Sequence, residues 1–220
     1  MTTAEKKIAD PIVDQSGRVL GPRALGTRQR LLDASEALLA RTRARDLKVV
    51  DIARAVDTSP ATFYQYFKDV EDVLLALAKR ASEEMPAVVH LIEEPWAEAE
   101  GLARARAVVD AFIRHWDEHQ AVLRFRNMAA DEGDERFARV RAQTLGPVLG
   151  ALSRRIESGI ADGVLAPGVH PDAVAAAMSA ILERLAAYHS ELAALGVTRE
   201  DLIESSARIL YRTLTGREAP

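Results

Sequence analysis

Pro60-Ala61-Thr62-Phe63-Tyr64-Gln65-Tyr66-Phe67 is the stretch on which the reading of this chain turns. Ser59 before it can accept an amide hydrogen of a first helical turn, and Pro60 suits that turn. Asp57 tolerates a left-handed backbone, so Asp57-Thr58-Ser59 predicts a tight turn into a short helix. On a helical wheel of about 100° per residue, Phe63 and Phe67 fall together as the core face. Ala61 and Gln65 then lie about 160° from Phe63, and Thr62 and Tyr64 take the flanks at about 100°. A packed corner would need no small or polar outward face.

The neighbours share this helical character. From Thr27 to near Thr42, Leu31, Leu32, Ala34, Leu38 and Leu39 make one apolar face. A second short helix covers 49–56, with Val49, Ile52 and Val56 inward and Asp46 as a candidate N-cap. Lys68 and Asp69 open a longer helix whose Val70, Val73, Leu74, Leu77 and Ala81 keep one face to about Met85. Further helices are predicted over 101–117, 120–130, 134–162, 171–195 and 198–213. The breaks are Pro86, Glu94-Pro95-Trp96, Glu118-His119, Asp131-Glu132-Gly133, Gly163 to Gly168, and Gly196. No strand-like alternation and no internal repeat stands out, so the fold class is all-α. The expected division is a flexible basic arm over 1–24, a three-helix unit over 25–69 and a larger helical body over 70–220.

Composition narrows the function classes. With 48% apolar residues and 5% aromatics, the chain can build an Ala- and Leu-rich helical core. It has no cysteine, which excludes disulfides, thiolate metal sites and a cysteine nucleophile. No apolar run reaches the roughly eighteen residues of a membrane span, and the polar start lacks a secretion signal's apolar middle. A soluble cytoplasmic protein without a membrane partner is expected. The net charge of −4 conceals a division: residues 1–68 hold 12 Lys and Arg against 8 Asp and Glu, and the remainder holds 17 against 25. The basic surplus, including Lys6, Lys7, Arg18 and Arg23 of the arm, suits a nucleic-acid-facing unit on an acidic body, although surplus charge also serves plain solvation.

Taken together, three short helices, a three-residue turn, a basic flank and a small, polar outward face predict a helix-turn-helix that enters a major groove. Ala61 allows close approach to base edges, Gln65 can pair with adenine through a donor and an acceptor, and the Thr62 and Tyr64 hydroxyls can reach phosphates. Amides at the helix start would add an anion site.

Thr27-Arg28, Leu31-Leu32-Asp33-Ala34, Asp51-Ile52-Ala53 and Thr62-Phe63-Tyr64-Gln65-Tyr66-Phe67-Lys68, followed by Glu71 and Leu74, resemble the N-terminal domain of TetR-family transcriptional regulators. The resemblance covers residues 27 to about 78 and implies a sequence-specific DNA-binding regulator, by family default a repressor. It places base contacts on Pro60, Ala61, Thr62 and Gln65 and phosphate contacts on Tyr64, Tyr66, Lys68 and helix-start Thr27; Ser59 at the helix start and Lys48, whose charge can stand in for a lost phosphate ligand, complete the DNA-binding candidates. Several positions depart from the family pattern: Arg43 and Ala44 replace a glycine and an aromatic, Leu47 and Lys48 replace Thr or Ser, and Asp57 replaces the turn glycine. Val50 stands where the family can place a base reader and could contact only a thymine methyl.

The resemblance further implies that the second domain binds an effector and forms a homodimer, which would read a pseudo-palindromic double-stranded DNA operator with half-sites ~34 Å apart. Phe112 to Met128 and Leu182-Glu183-Arg184 are similar to the branch containing the mycobacterial ethionamide-resistance repressor. Candidate pocket residues for a small apolar or amphipathic effector are Trp96, Phe112, Trp116, Phe125, Met128, Leu145, Leu149, Met178, Leu182 and Tyr188, all of which could equally be core. Ala173, Ala176, Ala177 and Ala180, with Leu202, Ile209 and Leu210, would permit close helix approach in a dimer.

Two rival readings stand beside this one. An enzyme would need a constellation, and His115 and His119 with Glu118 beside them have the four-residue spacing of helical metal ligands. They lack the HExxH order and straddle an expected helix break, so they read as a surface pair. No glycine-rich phosphate loop or G-x-S-x-G elbow occurs, and neither cofactor nor catalysis is expected. The other rival is a helical protein-interaction module that does not bind DNA, with Tyr64, Gln65 and Tyr66 meeting a protein partner.

Overall fold

The computed structural model describes residues 11–96 and 98–219. The part of the expected arm that holds Lys6 and Lys7 lies outside the described residues. Nine α-helices and two short 3₁₀ turns account for the regular structure described, with a single isolated bridge between Val13 and Val19 and no sheet. By internal contacts the chain divides into two units, residues 1–77 and 78–220.

The first unit holds α1 (Pro22–Leu39), α2 (Val49–Ala55), α3 (Pro60–Tyr66) and the start of α4 (Val70–Ser82), inside which the division falls. Leu31, Ile52, Phe63, Phe67, Val73, Leu74 and Leu77 are each at most 1% exposed and form its core. Two local expectations change. Helix α1 starts at Pro22 behind Gly21, more than a turn before Thr27. Proline needs no amide partner at a first turn, and Ala24 and Leu25 continue the helix readily. Asp46 is not an N-cap: Ala44–Asp46 is a 3₁₀ turn, and Lys48 occupies the cap position of α2.

The second unit holds α5 (Met85–Glu93), α6 (Glu98–Asp131), α7 (Glu135–Ala161), α8 (Pro171–Leu192) and α9 (Arg199–Thr215). Helix α5 was not expected, because Pro86 reads as a breaker; here it sits in the first turn of a new helix. Asp134 caps α7 by accepting from the Arg136 amide at 2.9 Å, and Thr198 and Asp201 close a reciprocal capping box on α9. The expected break at Glu118-His119 is a kink within α6, where His119 takes φ −121°, ψ 19°. Gly101 lets α6 meet α9 closely, since a Cβ there would lie 2.7 Å from the Tyr211 ring. The core of this unit gathers Ile92, Ala105, Val108, Ile113, Leu123, Val148, Leu152, Ala175, Ala207 and Tyr211.

Candidate functional site

In the first unit the turn into α3 is built from three local devices. Asp57 takes a left-handed conformation, φ 52°, where the family resemblance expects glycine. The Ser59 hydroxyl accepts from the Thr62 amide at 3.2 Å, so that amide is already engaged and adds no anion site. Pro60 sits in the first turn. Phe63 and Phe67 are buried to 0% and 1% exposure, with ring centroids 5.6 Å apart, and Arg28 lies 4.9 Å above the Phe67 ring. Burial pulls the Arg28 guanidinium below the ordinary arginine pKa, against the opposing pull of the Asp72 carboxylate.

With that anchor in place, Ser59, Pro60, Ala61, Tyr64, Gln65 and Lys68 are exposed and Thr62 and Tyr66 half-buried. Tyr64, 52% exposed, rests edge-on against the buried Phe63, which places a large aromatic at the surface. Lys48 and Val50 are also exposed, whereas Leu47 is buried to 7%. Leu47, one position before the cap, thus makes a core contact, and Lys48 at the cap position makes no side-chain cap bond. Thr27 is half-buried on the second turn of α1, its hydroxyl donating to the Arg23 carbonyl at 3.2 Å, so the helix-start role expected for it is not what the fold provides.

Residues 11–20 were expected to be part of a structureless arm; instead they fold back as a turn against the C-terminal end of α3. Asp14 Oδ1 accepts from the Ser16 hydroxyl at 2.6 Å and from the Arg18 and Ser16 amides at 3.0 and 2.9 Å, which holds that carboxyl below the usual range. The Gln15 amide donates to the Gln65 carbonyl at 3.1 Å, and its side chain donates to the Tyr66 carbonyl at 3.3 Å. These contacts bring Arg18 and Arg23 to the rim of an open groove of about 390 Å³ that Gln65 and Tyr66 also line. Sequence patterning missed this addition because its bonds run to backbone atoms some fifty positions away.

In the second unit the apolar pocket candidates disperse. Trp96, Phe112 and Leu182 are at most 6% exposed within the core; Leu145, Leu149 and Met178 pack half-buried against it; and Phe125 stacks on Phe137 at 5.4 Å. Large apolar side chains at helical spacing fill volume before they line a cavity. Only Trp116, Met128 and Tyr188 border the open cleft of about 880 Å³, whose other walls include Arg124, Asp131, Arg141, Glu183, Arg184 and Glu191. The indole nitrogen of Trp116 is buried with no hydrogen-bond partner. Behind the cleft, Arg126 is 3% exposed and pushed down to about 10 by burial, with Glu183 at 3.5 Å as counter-charge. Glu183 also accepts from Asn127 at 3.1 Å and Arg141 at 2.9 Å.

The surface-pair reading of His115 and His119 is overturned. Their side chains are only 10% and 11% exposed, and both hydrogen-bond to Glu84 rather than to Glu118. No local motif announces Glu84, which precedes His115 by 31 positions.

A three-helix unit whose α3 exposes Ala61 and Gln65, followed by a larger helical body, has the architecture of a helix-turn-helix regulator. A model of bacterial regulatory proteins, tetR family, matches residues 31–77, and a model of the tetracyclin repressor-like C-terminal domain matches residues 88–220. The chain belongs to the TetR family of DNA-binding transcriptional regulators. Among solved structures it is similar to a protein of unknown function from Rhodococcus sp. RHA1, with TM-score 0.66 and 20% identity over 86% of this chain and 95% of that one. A bacterial regulatory protein of the tetR family from Rhodococcus RHA1 gives TM-score 0.64 and 19% identity over 89% and 98% of the two chains. The regulator FadR from Bacillus subtilis, solved in complex with stearoyl-CoA, gives 0.61 and 16% over 86% and 99%. At these identities the likeness establishes the fold. No curated protein matches the chain. Among the described residues, no helix is long and apolar enough to cross a membrane.

Proposed function

We propose that the chain acts as a homodimeric, effector-responsive repressor that reads a pseudo-palindromic operator through α3. The observation that carries the reading is the exposed Ala61/Gln65 edge mounted on the fully buried Phe63/Phe67 pair, which presents polar chemistry to a groove on a rigid base. Gln65 and Ala61 face base edges; Thr62, Tyr64, Tyr66, Lys68 and Lys48 face phosphates, joined by Arg18 and Arg23. Dimerisation is supported by α8 and α9, where Ala173, Ala176, Ala177 and Ala180 are exposed together with Ile181 at 40% and Ile209 at 54%. Such apolar exposure along two neighbouring helices favours a second copy as its cover.

The effector site in this reading is the α6–α8 cleft. Trp116, Met128 and Tyr188 offer an apolar floor, and Arg124 and Arg184 can meet an anionic group on the same molecule, whereas Arg141 is paired with Glu183 and Asp131. An amphipathic molecule is therefore the expected effector class, and the stearoyl-CoA held by the Bacillus subtilis neighbour belongs to that class. Ala180, Arg184 and Tyr188 line the cleft from α8, so a partner seated on that helix would close its open side.

The deciding experiment is fluorescence anisotropy on operator fragments selected from genomic DNA. Gln65→Ala is expected to cost roughly 1–3 kcal/mol of discrimination between operator and altered sequence, and Lys68→Ala to weaken all sequences alike and lower the salt slope by about 1. Unchanged discrimination in Gln65→Ala would overturn the reading of α3. Ala177→Glu, monitored by light scattering, is expected to yield monomers.

A further inference from the structure

Glu84, His115 and His119 are not among the residues that line the cleft. The two histidines are one turn apart on α6, where the chain departs from helical geometry at His119. That departure leaves the two imidazoles 5.3 Å apart, edge to face. Across from them stands Glu84, the N-cap residue of α5, whose side chain makes no cap bond to its own helix. Its Oε2 is 2.9 Å from His115 Nδ1 and its Oε1 is 2.7 Å from His119 Nε2. One ligating atom from each residue therefore falls within 4.8 Å of the other two.

We propose that Glu84, His115 and His119 form a binding site for one divalent transition-metal ion of the zinc class. Two imidazole nitrogens and one carboxylate oxygen suit borderline ions such as Zn²⁺, Co²⁺ and Ni²⁺, whereas Mg²⁺ and Ca²⁺ take oxygen-rich sets. With metal–ligand distances of about 2.0–2.2 Å, tetrahedral donors stand about 3.4 Å apart. The two hydrogen-bonded separations, which run to different Glu84 oxygens, would widen by about 0.5–0.7 Å, and the longest donor separation would close from within 4.8 Å. A neutral ring would move its shared proton to its other nitrogen, and a charged ring would release it to solvent. Arg126 is near enough to oppose a cation there, and Glu183 stands beside Arg126 to offset it. Three protein ligands leave a fourth position for water or a small anion. An ion so placed would tie the start of α5 to the kink of α6.

The test is titration of the full chain, stripped with chelator, with Zn²⁺ and separately with Co²⁺. One ion per chain is expected, and Co²⁺ should produce the visible bands of a four-coordinate site. In side-chain nitrogen NMR of the wild-type chain, Zn²⁺ should shift the His115 and His119 rings and leave His90, His170 and His189 in place. His119→Ala and Glu84→Gln should each weaken binding at least about 100-fold, since the loss of outer-shell partners alone costs roughly 10–100-fold. His170→Ala, an exposed control, should change nothing. Shifts confined to the other histidines, a stoichiometry below one, or unaltered affinity in both ligand variants would overturn the site. The NMR arm needs no variant, so misfolding of His119→Ala leaves the proposal exposed to refutation. None of these readouts involves DNA, so they stand or fall apart from the operator reading.

Discussion

Helices α3 and α6 assign their polar residues in opposite ways. The seven residues of α3 bury Phe63, with Phe67 buried at the C-cap, and turn Ala61 and Gln65 outward, so its exposed side chains await a partner outside the chain. Along its 34 residues, α6 holds His115 and Arg126 inside the fold, each engaged with a carboxylate from another helix or helix junction. A surface that reads DNA can be built by one short helix, because its neighbour arrives only on binding. A site within a body has to be assembled from distant segments, because every buried polar group needs its partner already present.

The most severe way to break this contrast is at the anchor. Phe63→Ala removes a fully buried ring and is expected to cost about 3–5 kcal/mol, which should abolish operator binding while the helical body stays folded. Urea denaturation followed by tryptophan fluorescence separates the outcomes, since both tryptophans, Trp96 and Trp116, lie in the second unit. In the body, Glu183→Ala strips the counter-charge from Arg126 and should cost about 3 kcal/mol, visible in that same fluorescence transition. Glu183→Gln, which retains hydrogen bonding, should cost less.

Smaller changes sharpen the contrast from the turn side. Ser59→Ala leaves the Thr62 amide without its cap and is expected to destabilise the first unit by about 1 kcal/mol in thermal melts. Asp57→Gly relieves a left-handed residue and should stabilise by up to about 1 kcal/mol, with operator affinity unchanged. The mildest effect concerns acid. The Arg136 side chain, with the backbone, holds the Asp134 carboxyl down to about 2, below its unfolded value. Its contribution is therefore full above the usual carboxylate range and lost as pH falls through about 2. Asp134→Asn should flatten that part of the acid limb, measured by helical circular dichroism from about pH 5 to about pH 2.

What could be read before folding was whatever repeats at short range. The Phe63/Phe67 face, the left-handed Asp57, the Ser59 cap and the disturbance of α6 at His119 all follow from spacing or backbone preference within a few residues. Patterning misjudged the places where one signal has two meanings: Pro86 opens α5 instead of only ending its predecessor, and apolar residues such as Phe112 and Leu182 serve the core rather than a cavity. The sequence by itself determined the all-α class, the family and the outward face of α3, because helical periodicity and capping are local physics. Only the tertiary structure brought Gln15 to the end of α3, surrounded Glu183 with Arg126 and Arg141, and set Glu84 between His115 and His119. Those pairings depend on how helices far apart in the chain pack, and a charged side chain carries no record of which distant partner will satisfy it.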